Sequence, residues 1–422
     1  MNWHKALGVA GLALAVAAAG YLGVLAEPTT TPTVGEETKT ATTWAPAVKP
    51  KPLSDNVKRG LEFLAKTQLK NGGWGQGEES PQMGGGAQMR DVPSVADTAV
   101  CTLALIRSGS TASEGPYAAQ VRRGIEYLCA EIEEADSQSL FITKTRGTRV
   151  QSKLGQYVDT FLGAMVLAEV KGKMGDAAAN KRVLAALDRV MDKIEKNQKS
   201  DGTWASDGWA PTIAQAMGAK ALNKAAQAGV AVSEQARART ETYAREQYDA
   251  PTGRFKAAGD AGVALYSGAS SLTAIQESAN TNAALRADYE RKVRSAPTAA
   301  ERQVAADTLR RFDENEKALK DAKTAIVKSL DDERFIKGFG SNGGEEFLSY
   351  MNIGEALVVQ GGPEWEKWDK SITENLNRIQ NADGSWTGHH CITGRTFCTA
   401  AALLVLTTDR APVPVAAKIR RQ

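Results

Sequence analysis

An all-α fold, an (α/α)6 toroid of six helical hairpins, is what this sequence predicts, and three observations lead to it. A turn built on Gln and Gly-x-Trp recurs along the chain. Each copy closes an amphipathic stretch and is followed by a second stretch rich in small residues. Gly and Ala are abundant while Val and Ile are modest, which suits close-packed helices better than sheets.

The turn comes in three near-identical copies. Gln68 leads to Gly72-Gly73-Trp74, Gln198 to Gly202-Thr203-Trp204, and Gln380 to Gly384-Ser385-Trp386, with Leu64, Ile194 and Leu376 four positions before each Gln. A looser copy runs Tyr243, Gln247, Gly253-Arg254-Phe255, and a truncated one at 123–128 has Ile132 at the Gln position. Such a turn stops a helix, because Gly tolerates the left-handed conformation at the cap. The Gln is expected to bond orphan backbone groups of a neighbouring helix, with the Trp stacked over it.

Outer helices are predicted near 54–69, 117–133, 179–197, 233–247, 317–330 and 365–379. Their small-residue partners fall near 92–107, 151–170, 210–226, 261–276, 345–360 and 395–406. Each hairpin leaves an apolar face that only another hairpin can cover, so stacking closes into a ring. The densely charged stretch 277–332 exceeds what one hairpin needs and reads as a solvated helical insertion. The toroid domain thus spans 53–408, followed by a C-terminal tail at 409–422.

Ahead of it, Ala6–Leu25 is an uninterrupted run of small and apolar residues behind Lys5. Residues 1–26 are therefore read as a signal peptide or an N-terminal transmembrane anchor. Residues 27–52, rich in Thr and Pro, are read as a disordered linker. The folded part is expected to be exported, either secreted or held at the outer face of a membrane. In an oxidising compartment Cys101, Cys129, Cys391 and Cys398 could pair, Cys391 with Cys398 or Cys398 with Cys101 among the choices. The formal charge of +3, with no basic cluster interleaved with aromatics, excludes nucleic acid as the expected partner.

Arg59–Trp74 (Arg-Gly-x-x-Phe-Leu-x-x-x-Gln-x-x-x-Gly-x-Trp) resembles the QW motif of squalene–hopene cyclases and related triterpene cyclases. The same hairpin ring occurs in protein prenyltransferase β-subunits and complement-like thioester domains. The resemblance covers about 53–408 and implies an inner barrel of helices ringed by outer ones, with a cavity at one end. It implies much less about activity.

The cyclases protonate substrate with the middle Asp of Asp-x-Asp-Asp-Thr-Ala. Here Ser94-Val95-Ala96-Asp97-Thr98-Ala99 stands in that place, keeping Asp97 but putting Ala96 at the proton donor. An alanine cannot be a general acid. The prenyltransferase Asp-x-Cys zinc pair is absent, and so is the thioester signature, since Gly343-Gly344-Glu345-Glu346-Phe347 has no cysteine. Zinc remains the one cofactor the chain suggests, through His389, His390, Cys391 and Cys398. A Cys–His hydrolase would use Cys391 or Cys398 as nucleophile with His389 or His390 as base.

The expected function is accordingly a non-catalytic toroid binding a ligand or protein partner at the mouth of the inner helices. Asp97, Gln156, Asp159, Gln215, Asn352, Glu355 and Arg395 would line that mouth. The alternative is an enzyme acting on an isoprenoid or other lipid, zinc-dependent if the His/Cys group assembles. Asp97, His390 and Cys391 are its candidate catalytic residues.

Overall fold

The computed structural model describes residues 43–83, 89–205, 207–340 and 342–416. The expected leader at 1–26 and most of the linker lie outside them. No helix of the described residues is long and apolar enough to cross a membrane.

Six outer helices carry one buried stripe each: α1 (Asp55–Thr67), α3 (Ala118–Glu134), α6 (Ala177–Lys196), α8 (Glu234–Glu246), α10 (Ala299–Ser329) and α13 (Pro363–Ile379). In α1 the stripe is Val57, Gly60, Leu61 and Leu64, the spacing that keeps side chains on one helical face. The partners are α2 (Val95–Arg107), α5 (Val158–Val170), α7 (Pro211–Gln227), α9 (Ala264–Ser295), α12 (Gly344–Val358) and α14 (Arg395–Leu406). Every residue of α5 and α12 is buried, so these helices have no solvent face. Neighbours pack in the order α2, α5, α7, α9, α12, α14 and back to α2, which closes the inner ring. The remaining short helices are α4 (Arg149–Leu154) and α11 (Glu333–Lys337).

The turns link the ring. Trp74, Trp204 and Trp386 each donate their indole N–H, at 2.8 Å, to a carbonyl in the last turn of the preceding outer helix: Leu64, Ile194 and Leu376. The Gln carboxamide reaches forward instead. Gln68 Nε2 bonds the Gln120 carbonyl in α3, Gln198 Nε2 that of Ala236 in α8, and Gln380 Nε2 that of Asn56 in α1. The Gln oxygens accept from Arg123, Arg239 and Arg59 on those same helices. The Gln thus bonds the backbone of a neighbouring helix as expected and ties one hairpin to the next, though through a first-turn carbonyl. It is the Trp that bonds a carbonyl at the end of the preceding helix. The loose copy at Gln247 only bonds back to Tyr243, and its Phe255 lies in a short hairpin in which Tyr248–Asp249 pairs with Arg254–Phe255.

Three segments differ from the sequence reading. The stretch 151–170 is broken at Gly155, whose φ of 120° is open to glycine alone, so α4 and α5 are separate. The stretch 277–332 is helical and mostly solvated beyond Asn282, as expected, but it is not a separate element. It continues α9 and α10, two long helices packed against each other, and α9 stays buried through Asn282. Finally, the last part of the expected linker is ordered. Strand β1 (Trp44–Pro46) pairs antiparallel with a strand in the expected tail, Pro412–Pro414, and Lys51 N–H bonds Asp409 at 2.6 Å. Burial of Ala47 and the ion pair between Lys51 and Asp369 hold that segment down.

Gly384 sits at φ 89°, and a Cβ there would lie 2.6 Å from the Arg59 carbonyl oxygen. At Gly109, with φ 102°, a Cβ would meet nothing within 4 Å. Gly109→Ala is expected to cost about 1–2 kcal/mol, from backbone strain alone. Gly384→Ala should cost at least about 2 kcal/mol more in denaturant unfolding, because the first and last hairpins must separate. Equal losses would show that this contact does not hold the ring shut.

Candidate functional site

The inner helices run in parallel, so their ends separate into two polar regions. At the C-terminal ends lies a buried ion network. Arg107 grips Glu169 at 2.9 and 3.1 Å and reaches Glu355 at 3.1 Å; Lys220 reaches Glu355 at 2.5 Å, and Lys224 pairs with Glu277 at 3.4 Å. Burial alone would raise the Glu355 carboxyl, but Lys220 and Arg107 outweigh it and hold it at about 2. Asn352 faces Lys220 at 3.4 Å. The expected ligand groups Asn352 and Glu355 are thus turned to internal charge compensation. This end is covered by the β1 ribbon, with Lys224 bonded to the Pro412 carbonyl at 3.1 Å and both Lys173 and Lys224 over the Trp44 ring.

At the N-terminal ends the acids mostly serve neighbouring helix starts. Asp159 accepts the Ala96 N–H of α2 at 2.9 Å and the Gln151 amide at 2.8 Å. Asp260 accepts the Thr212 N–H of α7. Each satisfies a first-turn amide that has no intrahelical acceptor. Gln215 is occupied by the Trp204 backbone, and Arg395 by Asp383 and Glu78 at the surface. Gln156 is half-buried in the break between α4 and α5. Asp97 is fully buried against Ser94, and burial pushes its carboxyl up to about 7 despite that hydrogen bond.

What the fold brings together is a group the sequence reading passed over. Glu345 and Glu346 open α12 and are completely buried. Burial, then the adjacent Glu346, pushes the Glu345 carboxyl up to about 8. Glu345 Oε2 accepts the Ile392 N–H at 3.2 Å, and Glu346 Oε1 accepts the Phe339 N–H at 3.1 Å and the Tyr266 hydroxyl. His390 Nε2 stands 3.7 Å from Glu346 Oε2, longer than a hydrogen bond. Among the described residues Glu345 Oε1, Glu346 Oε2 and both His390 ring nitrogens have no hydrogen-bond partner. Buried polar atoms of this kind are rare enough to require a reason.

Aromatic rings roof the group. Trp209 packs edge-on to Tyr266 and to Phe339 at 6.1 and 4.8 Å, Phe339 lies 5.3 Å from the His390 ring, and Lys153 sits over Trp209 at 5.8 Å. Asn342 and Cys391, on the two flanking loops, both have φ of 57°, a strained conformation for these residues. The sequence signal for the site is a pair of acids opening a helix whose every position faces inward.

The His/Cys group does not assemble. His389 is exposed, and Cys398 donates its thiol to the Ile392 carbonyl. Among the described residues no three His, Cys, Asp or Glu side chains are placed to hold a metal ion. All four cysteines are free thiols, so neither pairing considered from sequence is present. Burial and Glu345 push the Cys391 thiol up to about 12, which removes it as a nucleophile at neutral pH. Of the three candidate catalytic residues, His390 alone sits in the new cluster with an unpaired functional atom.

No family model matches the chain, and no curated protein does. Among solved structures it is similar to the type II terpene cyclase MstE from Scytonema. A substituted form of that enzyme in complex with its substrate, geranylgeranyl dihydroxybenzoate, is 12% identical, with a TM-score of 0.46 over 84% of this chain and 97% of that one. A second, in complex with its product, merosterolic acid A, is 14% identical, with a TM-score of 0.43 over 85% and 97%.

A carboxyl with a higher pKa folded than unfolded holds its proton more tightly in the fold. The stability this contributes is complete below the ordinary value of 4.5 and is lost as pH rises through about 8. The melting temperature should therefore fall from about pH 6 to about pH 9, and Glu345→Gln, which cannot ionise, should make that fall shallower. An unaltered pH slope in the variant would contradict a neutral Glu345.

Proposed function

We propose that the chain is an exported acid–base enzyme acting on an isoprenoid or other lipid at the N-terminal mouth of the inner ring. One observation carries this reading. A buried neutral acid, Glu345, adjoins a carboxylate–imidazole pair, Glu346 and His390, and all three have unpaired polar atoms. That is the arrangement proton transfer in two directions needs. Tyr266 and the Phe339 amide fix Glu346, and the His390 ring stands 3.7 Å from its free oxygen, with both ring nitrogens unpaired among the described residues. The substrate class is supported by the roof of Trp209, Phe339 and Tyr266 rings, which suits an apolar body. Export, with residues 6–25 as leader or membrane anchor, is supported by the sequence alone.

The strength of the acid limits the chemistry. A carboxyl at about 8 is matched to protonating an oxygen near neutral pH, and is far too weak to protonate an isolated double bond. Together with Ala96 in the donor position, this argues against carbocation cyclisation. The reaction class it favours is proton abstraction beside a carbonyl. His390 takes a proton from carbon while Glu345 gives one to the carbonyl oxygen. Return of both protons leaves an isomer or the starting compound, and no redox partner is required.

The non-catalytic toroid is the second reading. It is favoured by the Arg107, Lys220, Glu355 and Glu169 network, which fills part of the ring's interior with paired charge. Geranylacetone, an isoprenoid ketone, separates the two. In deuterated buffer the enzyme should exchange the hydrogens beside its carbonyl, and Glu345→Gln and His390→Ala should each slow that exchange about 100-fold or more. Exchange no faster than in buffer, or as fast in both variants as in the wild type, would leave only the binding reading.

A further inference from the structure

A cleft of about 850 Å³ lies on the outside of the ring, between the C-terminal end of α10, the single exposed turn α11, and α13. Its volume falls within the range of small-molecule sites. Leu330, Ile336, Trp368 and Ile372 give it an apolar floor, with Tyr350 stacked edge-on to Trp368 at 5.9 Å. The inner end is formed by Tyr350 and Asn342. Asn342 is 8% exposed, and among the described residues its side-chain oxygen has no hydrogen-bond partner. The next residue, Gly343, lies against the candidate site: a Cβ there would be 2.7 Å from Glu346 Oε2 and 3.2 Å from His390 Cε1. Tyr350 lies one turn along α12 from Glu346, on the same face.

We infer that this cleft holds the chain of a lipid whose head carries a hydroxyl, the hydroxyl donating to Asn342 and the apolar tail lying on Trp368 and Ile372. The floor removes hydrocarbon from water, and Asn342, the buried acceptor left without a partner among the described residues, selects a head group with a donor. The carboxylates of Asp331, Glu333, Glu364 and Glu374 that also line the cleft are, by contrast, solvent-exposed. The inference rests on the acid–base reading for its orientation, because it brings the head beside Glu346 and His390. Its binding step stands without catalysis.

Farnesol is the probe, with affinity measured by isothermal titration. Wild-type protein should bind it, and geraniol at least about tenfold more weakly for want of one isoprene unit. Ser371→Trp, at an exposed position on the rim, should lower farnesol affinity about tenfold or more without changing the melting temperature. Asn342→Leu should weaken farnesol about tenfold while leaving farnesyl methyl ether, which has no donor, unchanged. Glu345→Gln should bind farnesol as the wild type does, even if geranylacetone exchange is lost. Failure of the wild type to bind, or equal binding by Ser371→Trp, would overturn the cleft. Loss of exchange activity with these affinities intact would count against the catalytic reading only.

Discussion

The forward reach of one carboxamide is what the ring depends on. Gln68, Gln198 and Gln380 each stand at the end of one outer helix and bond the first turn of the next outer helix, with an Arg of that helix bonded back to them. The Gln380 copy joins the last hairpin to the first. Such ties hold the outer helices in place over inner helices that are buried along most of their length. Charge-assisted hydrogen bonds of this kind are worth about 1.5–3 kcal/mol each, and here they also fix the angle between neighbours.

Closing the ring has a cost that the rest of the structure meets in two ways. Six helices starting at one end leave first-turn amides pointing into the protein, and Asp159 and Asp260 on neighbouring segments answer two of them. At the other end Arg107, Lys220, Glu169 and Glu355 compensate one another, and the ribbon of residues 44–46 and 412–414 covers the exit. Most of the polar groups that look like a ligand site in the sequence are used in this way. Glu345, Glu346 and His390 are a cluster that keeps unpaired atoms among the described residues, and Asp97 Oδ1 is another such atom.

The sequence made the ring legible because its determinants are local: a Gln, a Gly and a Trp at fixed spacing recur at the ends of three of the six outer helices. Ala96 was legible for the same reason, as one position in a short motif. The catalytic group was not. His390 lies in a loop before α14 and Glu346 at the start of α12, and only the contact between those two hairpins makes them partners. The adjacent histidines drew attention to a metal, whereas in the fold His389 turns to solvent and His390 inward. Pairing of residues 44–46 with 412–414 was equally hidden, since neither proline-containing segment has a strand pattern by itself. Gly155 was readable as a helix breaker, but not that the chain would use it.

A neutral Glu345 at physiological pH is the claim on which the catalytic account turns, and infrared spectroscopy tests it without any substrate. The carbonyl stretch of a protonated carboxylic acid is distinct from that of a carboxylate. The account predicts such a band at neutral pH, fading as pH rises through about 8, with part of it missing in Glu345→Gln. A neutral-pH spectrum unchanged by that substitution would mean that Glu345 is ionised, and the acid of the proposed reaction would be gone.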